Sequence, residues 1–483
     1  MHGIMVNIST TFHFYISQGP VRRFIYLFEL SSDMGGKPLR AIDLFAGAGG
    51  MSLGFELAGV EVVAAVEYCE KAMKTHEHNF PNHLTYCDDI CNVKTSTVIS
   101  DLERKGIQKK DIDLVIGGPP CPGFSNIGRS KIISLLRDKK WKWKGRPPNE
   151  WRHQFVQDPR NKLFLEFVRF VRDFEPRGFV MENVTGMLTS KNSAGQMITD
   201  LIHNSFVEIG YECKMEVLHA DKLGVPQARK RVIFIGWKKN SPKDAFSHPQ
   251  MKENFEWTSV DAISDLPFVS QEGGFSKKEH GASNNGYQDL MRFKAYQNAC
   301  RIDPRTGKVP SSKAELNCHK GRWVNPRDRA IFPQLQAPEH GKRVTYDQID
   351  PAKLKFPSPW KWDAKNRLVK NSKMKSGRNQ YKWYRTDSFK DKIRRISAHK
   401  PCPTLVAHMA TDTYMYVHPT EDRTLTPQEA ARIQSFPDSF DFSVVPFTSQ
   451  YRQIGNAVPP FMGKAIAEEI VQTWKNNTSI SIK

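Results

Sequence analysis

Asp43-Leu44-Phe45-Ala46-Gly47-Ala48-Gly49-Gly50 stands where a short apolar run beginning at Leu39 gives way to glycines. A strand that passes through small residues into a helical pattern is the first turn of an α/β unit, because glycines let the backbone turn tightly and approach a ligand. Glycines alone would also suit a bland turn. Glu67 adds to them: it ends the next expected strand, 24 residues after Asp43, where a carboxylate can accept hydrogen bonds from both ribose hydroxyls of a nucleoside cofactor. Asp43, Phe45, Ala46, Gly47, Gly49, Gly50 and Glu67 are the candidate cofactor-binding residues of this segment.

Outward from this turn, short β-branched runs at 39–45, 61–67, 112–116, 178–182 and 231–237 alternate with helical stretches. That alternation predicts an α/β fold around a parallel sheet. Leu163, Phe164, Phe167, Val168, Phe170, Val171 and Phe174 recur at helical spacing and read as core. After Trp237 the sequence turns proline-, lysine- and asparagine-rich, with few periodic runs. Regular patterning returns at Thr426, Pro427 and Glu429, which read as an N-cap, a first-turn proline and the partner of a capping box. A last helix is expected over 460–474. The chain therefore divides into an extension at 1–37, an α/β domain at 38–239, a separate irregular domain at 240–395, a return to the α/β domain at 396–475 and a tail at 476–483. The extension lacks periodicity and reads as dispensable or as an upstream start ahead of Met34.

A chain of 483 residues exceeds one comfortable core, which agrees with one domain interrupted by another. Lys and Arg outnumber Asp and Glu by 71 to 51, a net +20 that calls for a polyanionic partner or an acidic membrane surface. Residues 341–400 hold 18 Lys or Arg against 5 Asp or Glu, so a net +13 sits in an eighth of the chain. Aromatics are threaded through it, among them Trp360, Trp362, Trp383 and Tyr384, a mixture that suits nucleic acid better than lipid headgroups. A solvated lysine-rich surface is the plainer alternative. The eight cysteines include no CxxC pair, so no metal site is expected and a reducing, cytoplasmic setting is. No apolar run approaches the roughly 20 residues of a membrane helix, and no membrane partner is expected.

Gly117-Gly118-Pro119-Pro120-Cys121-Pro122-Gly123-Phe124-Ser125 follows the strand at 112–116 and so lies at a carboxyl edge, where open α/β sheets build their sites. A lone cysteine is more often a small buried hydrophobe. Placement on a stiff turn at a strand end favours a nucleophile. Glu182-Asn183-Val184 ends another strand and can bring a carboxyl to the same edge.

With these segments in view, the chain resembles the DNA (cytosine-5) methyltransferase family. Asp43 to Gly50, Pro120-Cys121, Glu182-Asn183-Val184, Gln227-Ala228-Arg229-Lys230-Arg231 and Gln453-Ile454-Gly455-Asn456 stand in the family's order. The resemblance implies a Rossmann-like S-adenosylmethionine-dependent catalytic domain with an inserted target recognition domain. It implies Cys121 as nucleophile, Glu182 as the carboxyl at cytosine N3, and Arg229 and Arg231 as arginines that steady the site. Phe45, Gly47, Glu67, Asp89, Ile90, Pro120 and Asn456 would line the cofactor pocket. Asp158-Pro159-Arg160-Asn161 resembles a further motif whose arginine supports the cysteine loop. Double-stranded DNA is the implied partner of a monomer working in the cytoplasm on the nucleoid, in a restriction-modification system whose endonuclease acts separately. An RNA cytosine methyltransferase and a catalytically idle DNA-binding relative are the rivals; the large insert argues against the first, and the presence of Cys121, Glu182 and the glycine loop against the second.

Two features depart from the family pattern. Pro122 stands where Gln is common, which bears on loop stiffness more than on chemistry. The stretch 127–157 is longer than compact members need and carries Trp141 and Trp143, which suits an extended loop reaching DNA better than surface ballast.

Overall fold

The computed structural model describes residues 37–120, 163–240, 246–269, 318–336 and 393–480 apart from positions 193 and 412, with isolated stretches between 296 and 382. Residues 1–36, Cys121, the stretch 127–157, the motif at 158–161 and most of 341–392 lie outside the described residues.

Seven strands form the central sheet: β1 (Arg40–Leu44), β2 (Glu61–Val66), β3 (Leu84–Tyr86), β4 (Leu114–Gly117), β5 (Gly178–Val184), β6 (Tyr211–His219) and β8 (Lys230–Lys238). Their order is β3-β2-β1-β4-β5-β8-β6. The chain runs outward one way from β1 through β2 to β3 and the other way from β4 to β5. A crevice therefore opens between the carboxyl ends of β1 and β4, where strand order reverses. The first five strands are parallel, four of them at expected runs and β3 outside them. β8 is not: it runs antiparallel to both β5 and β6, so the sheet is mixed rather than wholly parallel. The cause is the connection. Only Ala220 to Arg229 separate β6 from β8, a single 3-10 turn (Ala220–Leu223) and the two-residue strand β7 (Gln227–Ala228), and a parallel return needs a crossover of a dozen residues or more.

Alternation along the strands assigns each side chain to a layer. Ile42 and Leu44 of β1 join a core with helices α3 (Thr95–Arg104), α4 (Phe164–Phe174) and α5 (Ile198–Glu208). Ala41 faces the opposite core, with α1 (Gly50–Leu57) and α8 (Pro460–Ile480). Asp43 shares Ala41's side by the same period of two, which turns its carboxyl toward α1. The stripe of α4 is buried as its spacing predicts, and Phe206 of α5 stacks on Phe179 of β5 at 3.8 Å between ring centres. Truncating such a ring costs about 3–5 kcal/mol.

A third core joins Trp257, Ile263, Tyr296 and Cys300 to residues of 396–454. Helix α6 (Pro427–Ile433) opens with the expected capping box, Thr426 accepting from Glu429 N and Glu429 from Thr426 N. α7 (Phe447–Asn456) then leads into α8. Within the basic stretch, β9 (Trp360–Trp362), β10 (Arg367–Lys370) and β11 (Gln380–Lys382) form an antiparallel sheet. Finally β12 (Cys402–Pro403) pairs in parallel with β7, tying the returning chain to the strand edge.

Candidate active site

A cavity of about 650 Å³ lies across the crevice between β1 and β4, within the size range of small-molecule sites. One wall comes from the turn after β1. Phe45 adopts φ 59°, Gly47 58° and Gly49 98°. The left-handed region strains a bulky residue such as Phe45, and strain of that kind concentrates at ligand sites. Phe45, Ala46, Gly47 and Gly50 line the cavity; Gly49 is not on its wall but forms the N-cap of α1.

Glu67 extends from the end of β2. Its Oε2 accepts from Gly47 N at 2.9 Å and its Oε1 from Cys69 N at 2.7 Å. Burial pushes its carboxyl up from the ordinary glutamate range, and these backbone N–H groups oppose the rise. Tyr68 N–H also bonds this carboxylate, and three backbone donors leave acceptor capacity for a ligand hydroxyl. Asp43 is buried beneath, receiving Ser52 Oγ–H at 2.6 Å. Burial raises it to about 7, with the Ser52 hydrogen bonds opposing and the Glu67 charge adding. Asp89 and the buried Ile90 continue the wall from the loop after β3, Asp89 Oδ1 accepting from Cys91 N at 3.0 Å.

The opposite wall is built from the ends of β4, β5 and β8. A Cβ on Gly117 would lie 2.1 Å from Leu44 O, so β4 can end this close to β1 only as glycine. Gly118, Pro119 and Pro120 carry the chain along the cavity and directly into Cys121, which lies outside the described residues. Asn183 Nδ2 donates to Pro119 O at 3.0 Å and pins this turn to β5. Glu182 lines the cavity, and its Oε1 meets Arg231 Nε at 2.6 Å with both side chains largely buried. Antiparallel pairing of β5 and β8 produces that meeting, since it sets the end of one strand beside the beginning of the other.

Gln227, Arg229 and Arg231 fall at alternate positions but do different work. Gln227 Oε1 accepts from Leu405 N at 2.8 Å and its Nε2 donates to Gln434. Arg229, 1% exposed, donates through Nη1 to Leu405 O at 3.0 Å and Gly455 O at 3.1 Å, and through Nη2 to Asn456 O at 3.5 Å. Burial opposes its charge, and so does Arg231, while Glu182 favours it. Thus Arg231 steadies Glu182, whereas Arg229 holds the end of α7 where Asn456 meets the cavity.

Sequence reading missed Tyr68, Arg452 and Gln453, all on the cavity wall. Tyr68 follows Glu67 directly and is 77% exposed, an aromatic face offered at a strand end. Gln453 stands within the quoted Gly-Asn motif. Its Nε2 donates to Lys71 O at 2.8 Å, and its buried Oε1 has no partner among the described residues. That orphan acceptor marks a place for a ligand donor.

Among the described residues no helix is long and apolar enough to cross a membrane. The family described as C-5 cytosine-specific DNA methylase matches residues 39–472. Type II methyltransferase M.DdeI of Desulfomicrobium norvegicum is 33% identical, with 92% of each chain covered. Type II methyltransferase M.XorII of Xanthomonas oryzae pv. oryzae is 31% identical, over 90% of this chain and 85% of that one. Among solved structures, a candidate DNA modification methyltransferase encoded within an E. coli prophage superposes with a TM-score of 0.58 at 25% identity, covering 90% of this chain and 99% of that one.

Proposed function

The chain belongs to the C-5 cytosine-specific DNA methylase family and is a DNA (cytosine-5) methyltransferase; we propose that it methylates one cytosine within a specific duplex sequence, with Cys121 as the covalent nucleophile. Its family and fold are those of S-adenosylmethionine-dependent enzymes, and the residues present fit that donor. The strained glycine turn offers backbone at close range, Glu67 has lone pairs for a ribose diol, and Gln453 Oε1 is an acceptor awaiting a donor. Phe45, Gly47, Glu67, Asp89, Ile90, Pro120 and Asn456 would hold it. When bound, S-adenosylmethionine supplies an electrophilic methyl group.

The protein's own part is to make cytosine C5 nucleophilic. Addition of the Cys121 thiolate to C6 forms the S–C6 bond and turns the ring into an enamine. Glu182, hydrogen-bonding or donating a proton to N3, stabilises the charge that develops during addition. Arg231 fixes the Glu182 carboxyl for that task. After methyl transfer, loss of the C5 proton to a base or water breaks the S–C6 bond and frees Cys121. A stacked cytosine is inaccessible to all of these groups, so the base is rotated out of the duplex at a cost of about a few kcal/mol. Phosphate contacts from the basic stretch at 341–400 offset that cost.

The observation that carries this reading is the Glu182–Arg231 pair, facing the cavity beside the Gly118–Pro120 turn that runs into Cys121, with the glycine loop on the other wall. Residues 240–395 are the recognition domain, and the enzyme works as a cytoplasmic, nucleoid-associated monomer whose cognate endonuclease acts separately. Bisulfite sequencing of DNA from cells expressing the chain tests the function. The expected result is 5-methylcytosine in one sequence context. Unmodified DNA together with methylated transfer RNA would overturn it. Exchanging 240–395 for a relative's insert is expected to change the methylated sequence and keep the chemistry.

A further inference from the structure

Beneath the glycine loop lies a buried array that the methylation chemistry does not use. Glu56 on α1, His83 before β3 and His76 on α2 (Glu70–Asn79) are brought together from three elements. His83 Nε2 lies 2.8 Å from Glu56 Oε1, and His83 Nδ1 lies 3.0 Å from His76 Nε2. His76 is 0% exposed, and its remaining nitrogen, Nδ1, has no hydrogen-bond partner among the described residues. Phe80 packs against both imidazoles, 4.7 Å from the His76 ring and stacked 4.8 Å from that of His83.

The unpartnered nitrogen faces the loop. A Cβ on Gly49 would lie 3.0 Å from His76 Nδ1 and 2.3 Å from Phe80 Cε2, so the imidazole and the phenyl ring form the floor on which Gly49 rests. Gly49 needs such a floor, because it holds φ 98° as N-cap of α1 with no side chain to cap the helix. Of the two neutral forms of His76, the one with hydrogen on Nδ1 would drive a buried N–H donor against a Cα hydrogen of Gly49 and leave that donor unsatisfied. The other presents only a lone pair. The array accommodates the second form: with no hydrogen on Nδ1, neutral His76 carries its hydrogen on Nε2 and donates to His83 Nδ1, leaving His83 Nε2–H to donate to Glu56 Oε1. Burial pushes His76 down to about 3, so it stays neutral at ordinary pH.

We propose that His76, in its Nε2–H form and linked through His83 to Glu56, is a positioning residue for the cofactor loop, setting Gly49 and through it the Gly47 N–H that orients Glu67. This inference rests on the reading of the cavity as the S-adenosylmethionine site. Two measurements on the full chain test it. Long-range 1H–15N spectra of histidine-labelled wild-type protein are expected to show a protonated Nε2 and an unprotonated Nδ1 for His76; a protonated Nδ1 overturns the proposal even where no variant folds. His76→Phe keeps a ring of similar size but removes both nitrogens. Its KM and calorimetric Kd for S-adenosylmethionine are expected to rise about tenfold, with kcat at saturation within about twofold of wild type, the pattern of lost binding rather than lost chemistry. Unchanged affinity, or a fall in kcat matching the loss of kcat/KM, overturns it. Failure of the wild type to bind S-adenosylmethionine would instead remove the cavity assignment itself.

Discussion

The two walls of the cavity hold their charges by different means. On the β1–β3 wall, carboxylates are held by neutral donors close in sequence: Glu67 by Gly47 N and Cys69 N, Asp43 by Ser52, Asp89 by Cys91 N. On the β4–β8 wall, Glu182 is held by a guanidinium, and Arg229 by carbonyls 176 to 227 residues away along the chain. Neutral local donors leave lone pairs open and suit a diol. A carboxyl fixed by Arg231 suits a group where charge develops during reaction. On the proposed reading the first wall holds the ribose of the donor and the second presents the carboxyl for chemistry, with Pro120 and Asn456 completing the donor's site there.

The largest effect that could break this division comes from Glu182→Gln. Turnover is expected to fall about 10²–10³-fold, the scale of losing one aimed electrostatic partner, with S-adenosylmethionine affinity unchanged by calorimetry. Comparable losses in both would mean that the walls are not separable. Next comes Arg229→Ala, which leaves buried carbonyls without their donor. Urea unfolding is expected to show a loss of about 3 kcal/mol, and a stability within 1 kcal/mol of wild type, roughly the error of the method, would contradict the clamp on α7.

On the first wall, Glu67→Ala is expected to weaken S-adenosylmethionine by about 1.5–3 kcal/mol, the scale of hydrogen bonds to a charged group. Wild-type affinity would reject the assignment. Per pH unit, the smallest effect belongs to Asp43. Its folded pKa is raised from 3.8 to about 7, so the folded state keeps the proton longer than the unfolded one. Stability from the protonated form is full below 3.8 and is lost as pH rises through about 7, at up to about 1.4 kcal/mol per pH unit. Asp43→Asn is expected to flatten the pH dependence of Tm between about 4 and 7. A variant as pH-dependent as wild type would assign the slope to other groups.

The same contrast separates what could be read in the sequence from what could not. Asp43, the glycines and Glu67 are legible because strand, turn and carboxylate lie within one local unit, and the Thr426–Glu429 capping box because its hydrogen bonds span three residues. Periodicity finds a strand such as β8 but not its direction, which here follows from the short link after β6. Direction in turn decides that Arg231 meets Glu182. The different tasks of Arg229 and Arg231, two residues apart, depend on Leu405, Gly455 and Asn456, contacts that exist only once the returning chain has packed. His76 and His83 carry no motif, and only folding brings them to Glu56.

Covalent trapping tests the central claim most directly. Cytosine C5 loses a proton to release the enzyme, and a fluorine at C5 cannot leave in that way. Wild-type protein incubated with S-adenosylmethionine and duplex DNA carrying 5-fluorocytosine at the methylated position is therefore predicted to give an adduct that survives denaturing electrophoresis, and Cys121→Ala to give none while still binding the DNA. An adduct of equal yield from Cys121→Ala, or none from a wild-type enzyme that methylates ordinary DNA, would contradict the account.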